Sequence, residues 1–329
     1  TETKQHMENP WVLLSKDLKW ILGHLREFVV EFFLRNSIGA INFEPVDPDK
    51  PTSEVDLLSL SNWFSIIYQI VAFFFTLPVF VFYPLLMLKA LDEEFIRLPS
   101  DELEEAHPDE KWFFINGVLV DRRWLDANCK YLEKRFGRGV TGIHNSSYGI
   151  IWDVVEVFLQ RSFNIDTISV RWAVSRMLPA LKNNNIKTVR MLAHSQGGII
   201  AGMVLTNLYV ELSRSGQQDC LKKLEVYTFS NAAREFINPG NLVRCIEHYA
   251  NEKDPIARFG VISNIGSGNY HGSLFINRKL NGGKGHLLNT FYSFNEVDYT
   301  IVKPLGAIPT LMRMPGYVAN LPIKFRGLN

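Results

Sequence analysis

Read from its N-terminus, the chain first shows an apolar residue about every third or fourth position. Leu14, Leu18, Ile21, Leu25, Phe28 and Phe32 share one side of a helical wheel, and Lys16, Lys19, Arg26 and Glu27 fall elsewhere. Asn9-Pro10 supplies an N-cap and first-turn pair, so an amphipathic helix is expected to begin there. Two placements of that helix stay open: on a membrane surface or a partner subunit, or packed on its own domain. The stretch FEPVDPDKPTS, residues 43–53, reads as a linker by its Pro and Asp content.

The pattern then loses its polar half. No charged residue occurs from Leu57 to Leu88, and from Trp63 onward only Ser65, Gln69 and Thr76 are polar. A helix crossing a bilayer needs about 20 apolar residues, and this run is longer. Trp63 and Tyr68 near one end and Tyr83 near the other match an interfacial aromatic belt. Pro78 and Pro84 would kink a helix. Three readings remain: a kinked spanning helix, a re-entrant or in-plane element, and a buried hairpin in a soluble fold or dimer. Lys50 before the run against Lys89 and Arg97 after it favours a cytoplasmic C-terminal part. The run starts too late, and lacks the basic lead, for a signal peptide; the residues before Met7 read as an appended remnant.

Beyond a charged connector ending in DELEEAHPDEK, short apolar runs alternate with longer amphipathic ones. WFFINGV, GVTGIHN, TVRMLAHS, LEVYTFS and RCIEHYAN read as strands. DRRWLDANCKYLEKRF, IIWDVVEVFLQRSF, GIIAGMVLTNLYVELS and ISVRWAVSRMLPALKNN, the last broken late by Pro179, read as helices. Such alternation predicts an α/β fold, a mostly parallel sheet with helices on both faces. The expected organisation is an N-terminal helix and linker (1–56), a membrane-embedded segment (57–91), a connector (92–110) and a catalytic domain (111–329). Residues Phe259 to Gly285, rich in Gly, Ser and Asn, are expected to include a flap that moves over the site.

Composition narrows the function. Lys+Arg 35 against Asp+Glu 34 leaves a charge of +1, so no field favours a phosphate backbone and nucleic acid is excluded as main partner. Cys129, Cys220 and Cys245 are odd in number and far apart, which argues against a disulfide scaffold or a cysteine zinc site and for a reducing compartment.

The chemistry concentrates at Ala193-His194-Ser195-Gln196-Gly197-Gly198, where a predicted strand runs into a predicted helix. That is the setting of a nucleophile elbow: small residues two before and two after the serine let strand and helix pass closely. A tight Ser/Gly turn without chemistry is the plainer alternative. A serine needs a base, and the base an orienting carboxylate, expected here in the order Ser, Asp/Glu, His. Asp254, in NEKDPIARFG, is the first choice for the acid and Glu252 the second; a turn or capping aspartate is the lesser alternative for Asp254. His286, in the glycine-rich GGKGHLLNTFY, is the expected base and His271 the alternative. His248 reads as a core residue, and the His194 side chain is expected to point away from the site. The oxyanion donors would be the N–H of Gln196 and that of Val118, with Gly117 allowing close approach. A plain Asn-Gly turn at Asn116-Gly117 is the competing reading.

Across Lys111 to Asp298, through FFINGV, GIHN, AHSQGG, VYTFSNAA, IEHYANEKDPIARFGV and KGHLLNTFY, the chain resembles α/β-hydrolases of the lipase/serine-esterase type. More narrowly it resembles a group of uncharacterised fungal α/β-hydrolase-like proteins. The resemblance implies Ser195, Asp254 and His286 as the triad of a serine hydrolase acting without metal or organic cofactor. Two positions depart from the pattern: Ala193 replaces the first elbow glycine, and Asn116 stands where many relatives carry the His of a His-Gly turn. The tethered placement points to membrane lipid or another hydrophobic acyl ester as substrate, with a second copy of the chain as the partner open to the N-terminal helices. A thioesterase or acyltransferase with the same triad, and a non-catalytic membrane interaction protein, are the alternatives.

Overall fold

The computed structural model describes residues 9–28, 95–147, 150–279, 283–304 and 308–314, with single positions at 30, 63, 64, 66–68 and 71. Eight strands form one sheet in the order β1-β3-β2-β4-β5-β6-β7-β8. They are β1 (Ile96–Arg97), β2 (Glu110–Ile115), β3 (Val140–Ile143), β4 (Thr188–His194), β5 (Leu224–Phe229), β6 (Cys245–Asn251), β7 (Ser273–Asn277) and β8 (Tyr299–Lys303). The six strands β2 to β7 pair in parallel, and β1 and β8 close the two edges antiparallel. This is the expected α/β arrangement.

The central strands are apolar runs because both of their faces are covered. Phe113, Ile115, Met191 and Val226 point to one face, where they meet α4 (Ile168–Lys182) and α5 (Gly197–Arg214). Trp112, Phe114, Leu192 and Tyr227 point to the other and pack on Trp124, Leu125 and Leu132 of α2 (Arg122–Phe136). Helix α2 starts where the Asp121 carboxylate accepts the Trp124 N–H at 2.7 Å and stops at Gly137, which takes φ 64°. Helix α3 (Ile150–Phe163) precedes α4.

Three expectations shift. Pro179 does not break α4. It sits in the last turns, and the helix runs on to Lys182 with the Asn183 N–H on the Pro179 carbonyl at 3.0 Å. The stretch 259–285, expected to include a flap, also contains β7, buried between β6 and β8, which leaves only the parts outside β7 for one. The connector also takes part in the sheet, since Ile96–Arg97 pair with Ile143 and Gly142.

The N-terminal helix α1 (Pro10–Gly23) forms as expected, the Asn9 side chain accepting the Trp11 N–H at 2.9 Å, and one further turn follows at Leu25–Glu27. It packs on its own domain, along α3, but not through the whole predicted apolar stripe. Leu18 and Leu25 are exposed and Asp17 is buried. The Asp17 carboxylate takes two bonds from Arg161 of α3, both at 3.1 Å, and an ion pair from Arg234 at 2.6 Å. Among the described residues no helix is long and apolar enough to cross a membrane. The apolar run 57–88, the linker 43–53 and Phe32 lie outside the described residues apart from helical positions 63, 64, 66–68 and 71.

Candidate active site

Parallel pairing brings the carboxyl ends of the strands to one rim, where ligands of open α/β sheets bind. Ile115 of β2 is level with Ala193 of β4, and His194 of β4 with Phe229 of β5. The residues that follow these ends therefore meet: Gly117 after β2, Ser195 after β4, Ser230 after β5 and Asp254 after β6.

Ser195 stands at φ 60°, a left-handed conformation that costs a side-chain-bearing residue energy. The surroundings hold it there. Its N–H donates to the Phe229 carbonyl at 3.0 Å, and its carbonyl accepts from Gly198 at 2.9 Å and Ala232 at 3.2 Å. Gly197 is required by close approach, because a Cβ would stand 2.3 Å from the Ile115 carbonyl oxygen. Gly117 packs on the serine itself; a Cβ there would lie 2.5 Å from the Ser195 Cβ.

The Ser195 hydroxyl lies 3.0 Å from His286 Nε2. On the far side of that ring, Nδ1 is 3.0 Å from Asp254 Oδ2 and 3.1 Å from Oδ1. All three predicted side chains are thus brought together and buried. Asp254 also fits its capping reading: Oδ1 accepts the Ile256 N–H at 2.9 Å while Oδ2 accepts the Tyr292 hydroxyl at 2.8 Å. Burial alone would raise the Asp254 pKa. The charge of His286 and hydrogen bonds from His286, Ser230 and Tyr292 outweigh it, and the net direction is down. Burial pushes the Tyr292 phenol well above its ordinary range, so it stays a donor to that carboxylate.

The alternatives lie elsewhere. Glu252 pairs with Arg278 at 3.2 Å, both half exposed. His271 accepts the Asn238 N–H at 3.0 Å, and His248 is a buried residue bonded to Thr228 at 2.7 Å. His194 departs from expectation. It does not turn away from the constellation but packs against the back of His286, rings 4.6 Å apart. Ser230, whose hydroxyl is 3.0 Å from His286 Nδ1, and Tyr292 were not foreseen either. The stretch VYTFSNAA, in which Ser230 directly follows β5, carried the only hint.

Val118 and Gln196 both line the cavity beside Ser195. Neither backbone N–H is spent on a protein acceptor among the described residues. A polar chain ties their two segments together. Asn145 Nδ2 donates to Gln196 Oε1 at 2.7 Å, and the Asn145 N–H donates to Asn116 Oδ1 at 2.8 Å. Asn116 Nδ2 bonds the Gly117 and Asn145 carbonyls at 2.9 and 3.0 Å, so its amide braces the turn instead of facing a substrate. Leu119, at φ 59°, is held by Asp153 Oδ2 at 2.9 Å.

Comparison with protein-family models, curated proteins and solved structures finds no match to this chain. What the site can do must therefore be argued from its own chemistry. The cavity above Ser195 measures about 210 Å³, many times the roughly 10–15 Å³ that one water molecule needs on the same measure, so it has room for an organic group. Its walls are almost wholly apolar: Val157, Phe158, Ile256 and Phe259 from the domain, and Ile21, Leu25 and Phe28 from the N-terminal segment. Among the described residues no group of His, Cys, Asp and Glu could hold a metal ion.

Proposed function

We propose that this chain is a membrane-associated serine hydrolase of the α/β-hydrolase type that cleaves hydrophobic carboxylic esters. The observation that carries this reading is the Ser195–His286–Asp254 relay, 3.0 Å at each junction, opening into an apolar cavity.

The chemistry follows from the geometry. Asp254 fixes the tautomer with the proton on His286 Nδ1, leaving Nε2 as the acceptor facing the hydroxyl. As Ser195 Oγ attacks an ester carbonyl, its proton passes to Nε2 and the imidazolium is stabilised by Asp254. The N–H groups of Gln196 and Val118 receive the charge on the carbonyl oxygen, each donor contributing about 3 kcal/mol. His286 then gives its proton to the departing alcohol, leaving an acyl-serine. Water, deprotonated by the same imidazole, attacks that ester and returns the free acid and the hydroxyl. An acyl chain along the cavity leaves water for apolar walls, which favours lipid-like acyl groups over small polar ones.

A fluorophosphonate probe tests the proposal. The wild-type chain should label and Ser195→Ala should not, with hydrolysis of p-nitrophenyl esters lost in parallel. A folded wild type that neither labels nor hydrolyses would leave an interaction protein with a hydrolase-like site. Labelling with turnover only on acyl-thioesters, or only with added alcohol as acceptor, would make it a thioesterase or acyltransferase.

A further inference from the structure

Helix α1 and the turn after it carry two apolar stripes. Ile21, Leu25 and Phe28 face the domain and close the cavity over Ser195. Leu18, Leu22 and Leu25, with Trp11 at the start, recur at helical spacing along the outer side and are exposed, Leu22 by 71% and Trp11 by 68% although one edge of its ring meets Phe163 at 5.1 Å. Leu25 belongs to both. The outer stripe therefore runs, without a charged residue along it, to the mouth of the cavity. Val154 of α3, another cavity wall, is 42% exposed and widens the same apolar rim.

A contiguous exposed apolar surface of this kind marks an interaction site, and its surroundings say which partner it fits. Lys19 and Arg26 each follow a stripe residue by one position and lie exposed along its flank. An aromatic residue at the helix start, an apolar centre and a cationic flank suit a helix lying in the plane of an anionic lipid surface. Asp17, buried between Arg161 and Arg234, holds α1 against the domain, so the helix can meet a surface without leaving its place.

We propose that α1 docks flat on an anionic phospholipid surface, so that the cavity mouth at Leu25 opens into the acyl region and a lipid chain reaches Ser195 without crossing water. The docking stands on the exposed stripe and its cationic flank; delivery of an acyl chain rests on the hydrolase reading of Ser195.

The test uses the full chain in phosphatidylcholine vesicles with and without phosphatidylserine. A chain carrying Leu22→Cys with Cys220→Ser and Cys245→Ser takes an environment-sensitive fluorophore at position 22, Cys129 being buried. The label should shift to the blue and be quenched by brominated acyl chains, more so with phosphatidylserine. Leu18→Glu with Leu22→Glu should lower the rate on a vesicle-borne ester at least about tenfold and leave the rate on soluble p-nitrophenyl acetate unchanged. A label that stays water-exposed on vesicles overturns the proposal. So does a label already buried in micelles without vesicles when light scattering shows a doubled protein mass, because a second copy then covers the stripe. A label that penetrates while neither ester is cleaved supports the docking and overturns the hydrolase reading.

Discussion

The imidazole of His194 packs against that of His286 at 4.6 Å between centroids, the rings tilted by 38°, and its Nε2 lies 2.8 Å from the His286 carbonyl oxygen. Burial pushes His194 down to about 3, so it is neutral and donates this bond. A neutral ring at this place fixes both the plane and the backbone of the proposed base without adding a like charge to the imidazolium that forms. A small misplacement of a catalytic group is costly, up to about a hundredfold in rate. His194→Phe keeps the ring and removes the donor; kcat on a p-nitrophenyl ester should fall at least about tenfold with KM little changed. His194→Gln, which restores a donor, should recover part of that loss. Equal activity in all three proteins would remove His194 from the positioning of His286.

The buried ion pair beneath α1 gives a second expectation. Arg161 is charged and almost wholly enclosed. Beyond Asp17 it donates to the carbonyls of Ala232 and Phe259, and its guanidinium lies 3.7 Å over the Phe259 ring. Burial lowers the Arg161 pKa, and Asp17 works against that shift. Removing only the carboxylate leaves an uncompensated buried charge, which costs about 3–5 kcal/mol. Asp17→Ala should therefore lower the urea midpoint strongly, and Asp17→Leu with Arg161→Met should recover much of it. Because Ala232 also bonds the Ser195 carbonyl, probe labelling should slow in the single variant. A midpoint unchanged by Asp17→Ala would show that the pair does not hold α1.

Much of this was legible in the chain, for definite reasons. A central parallel strand such as TVRMLAH is buried on both faces and reads as an unbroken apolar run, and the elbow follows it at once. Asp254 and His286 could be placed by order after the serine because the fold brings successive strand ends to one rim. Other features depend on partners that spacing cannot reveal. Asp17 is inside and Leu18 outside because an arginine 144 positions away meets the carboxylate. Periodicity assigns the leucine inward and the aspartate outward. Strands β7 and β8, SLFIN and YTIVK, are five residues each and follow turn-rich sequence, so they lacked a pattern long enough to read. The elbow dictates where Ser195 points, but the packing of its neighbour His194 is set by a loop that arrives from 92 positions later.

Acid should weaken the fold before any carboxylate titrates. Burial holds His194 down to about 3 and His248 to about 4, whereas a histidine in the unfolded chain titrates near 6.5. The native state thus binds fewer protons than the unfolded state below about pH 6.5, and stability must fall as pH falls. The contribution is complete above about pH 6.5 and is lost progressively down to about pH 4 for His248 and about pH 3 for His194. Asp254, also lowered, adds to the loss below the ordinary carboxylate range near 3.9. Urea midpoints measured from about pH 7 to pH 5 should decline in the wild type and decline less in His248→Gln. Identical slopes would mean that folding leaves the titration of His248 unchanged.

The N-terminal segment should also set what the cavity can accept, because its inner stripe lines the same cavity as Ser195. Ile21, Leu25 and Phe28 come from about two turns of chain far from the sheet in sequence, yet they line the same cavity above the serine as Val157, Phe158 and Phe259. A short acyl group bound at Ser195 need not reach them, whereas a long one must. Ile21→Trp and Leu25→Trp add volume at that wall; Leu25 is 54% exposed, so its enlargement should leave the core undisturbed. A methylene group excluded from an apolar pocket changes discrimination by roughly 10- to 200-fold. The ratio of kcat/KM for p-nitrophenyl decanoate to that for the acetate should therefore drop at least about tenfold in either variant, with the acetate rate and fluorophosphonate labelling preserved. If the decanoate preference survives both substitutions, the acyl chain runs elsewhere, and the N-terminal segment is no part of the substrate site.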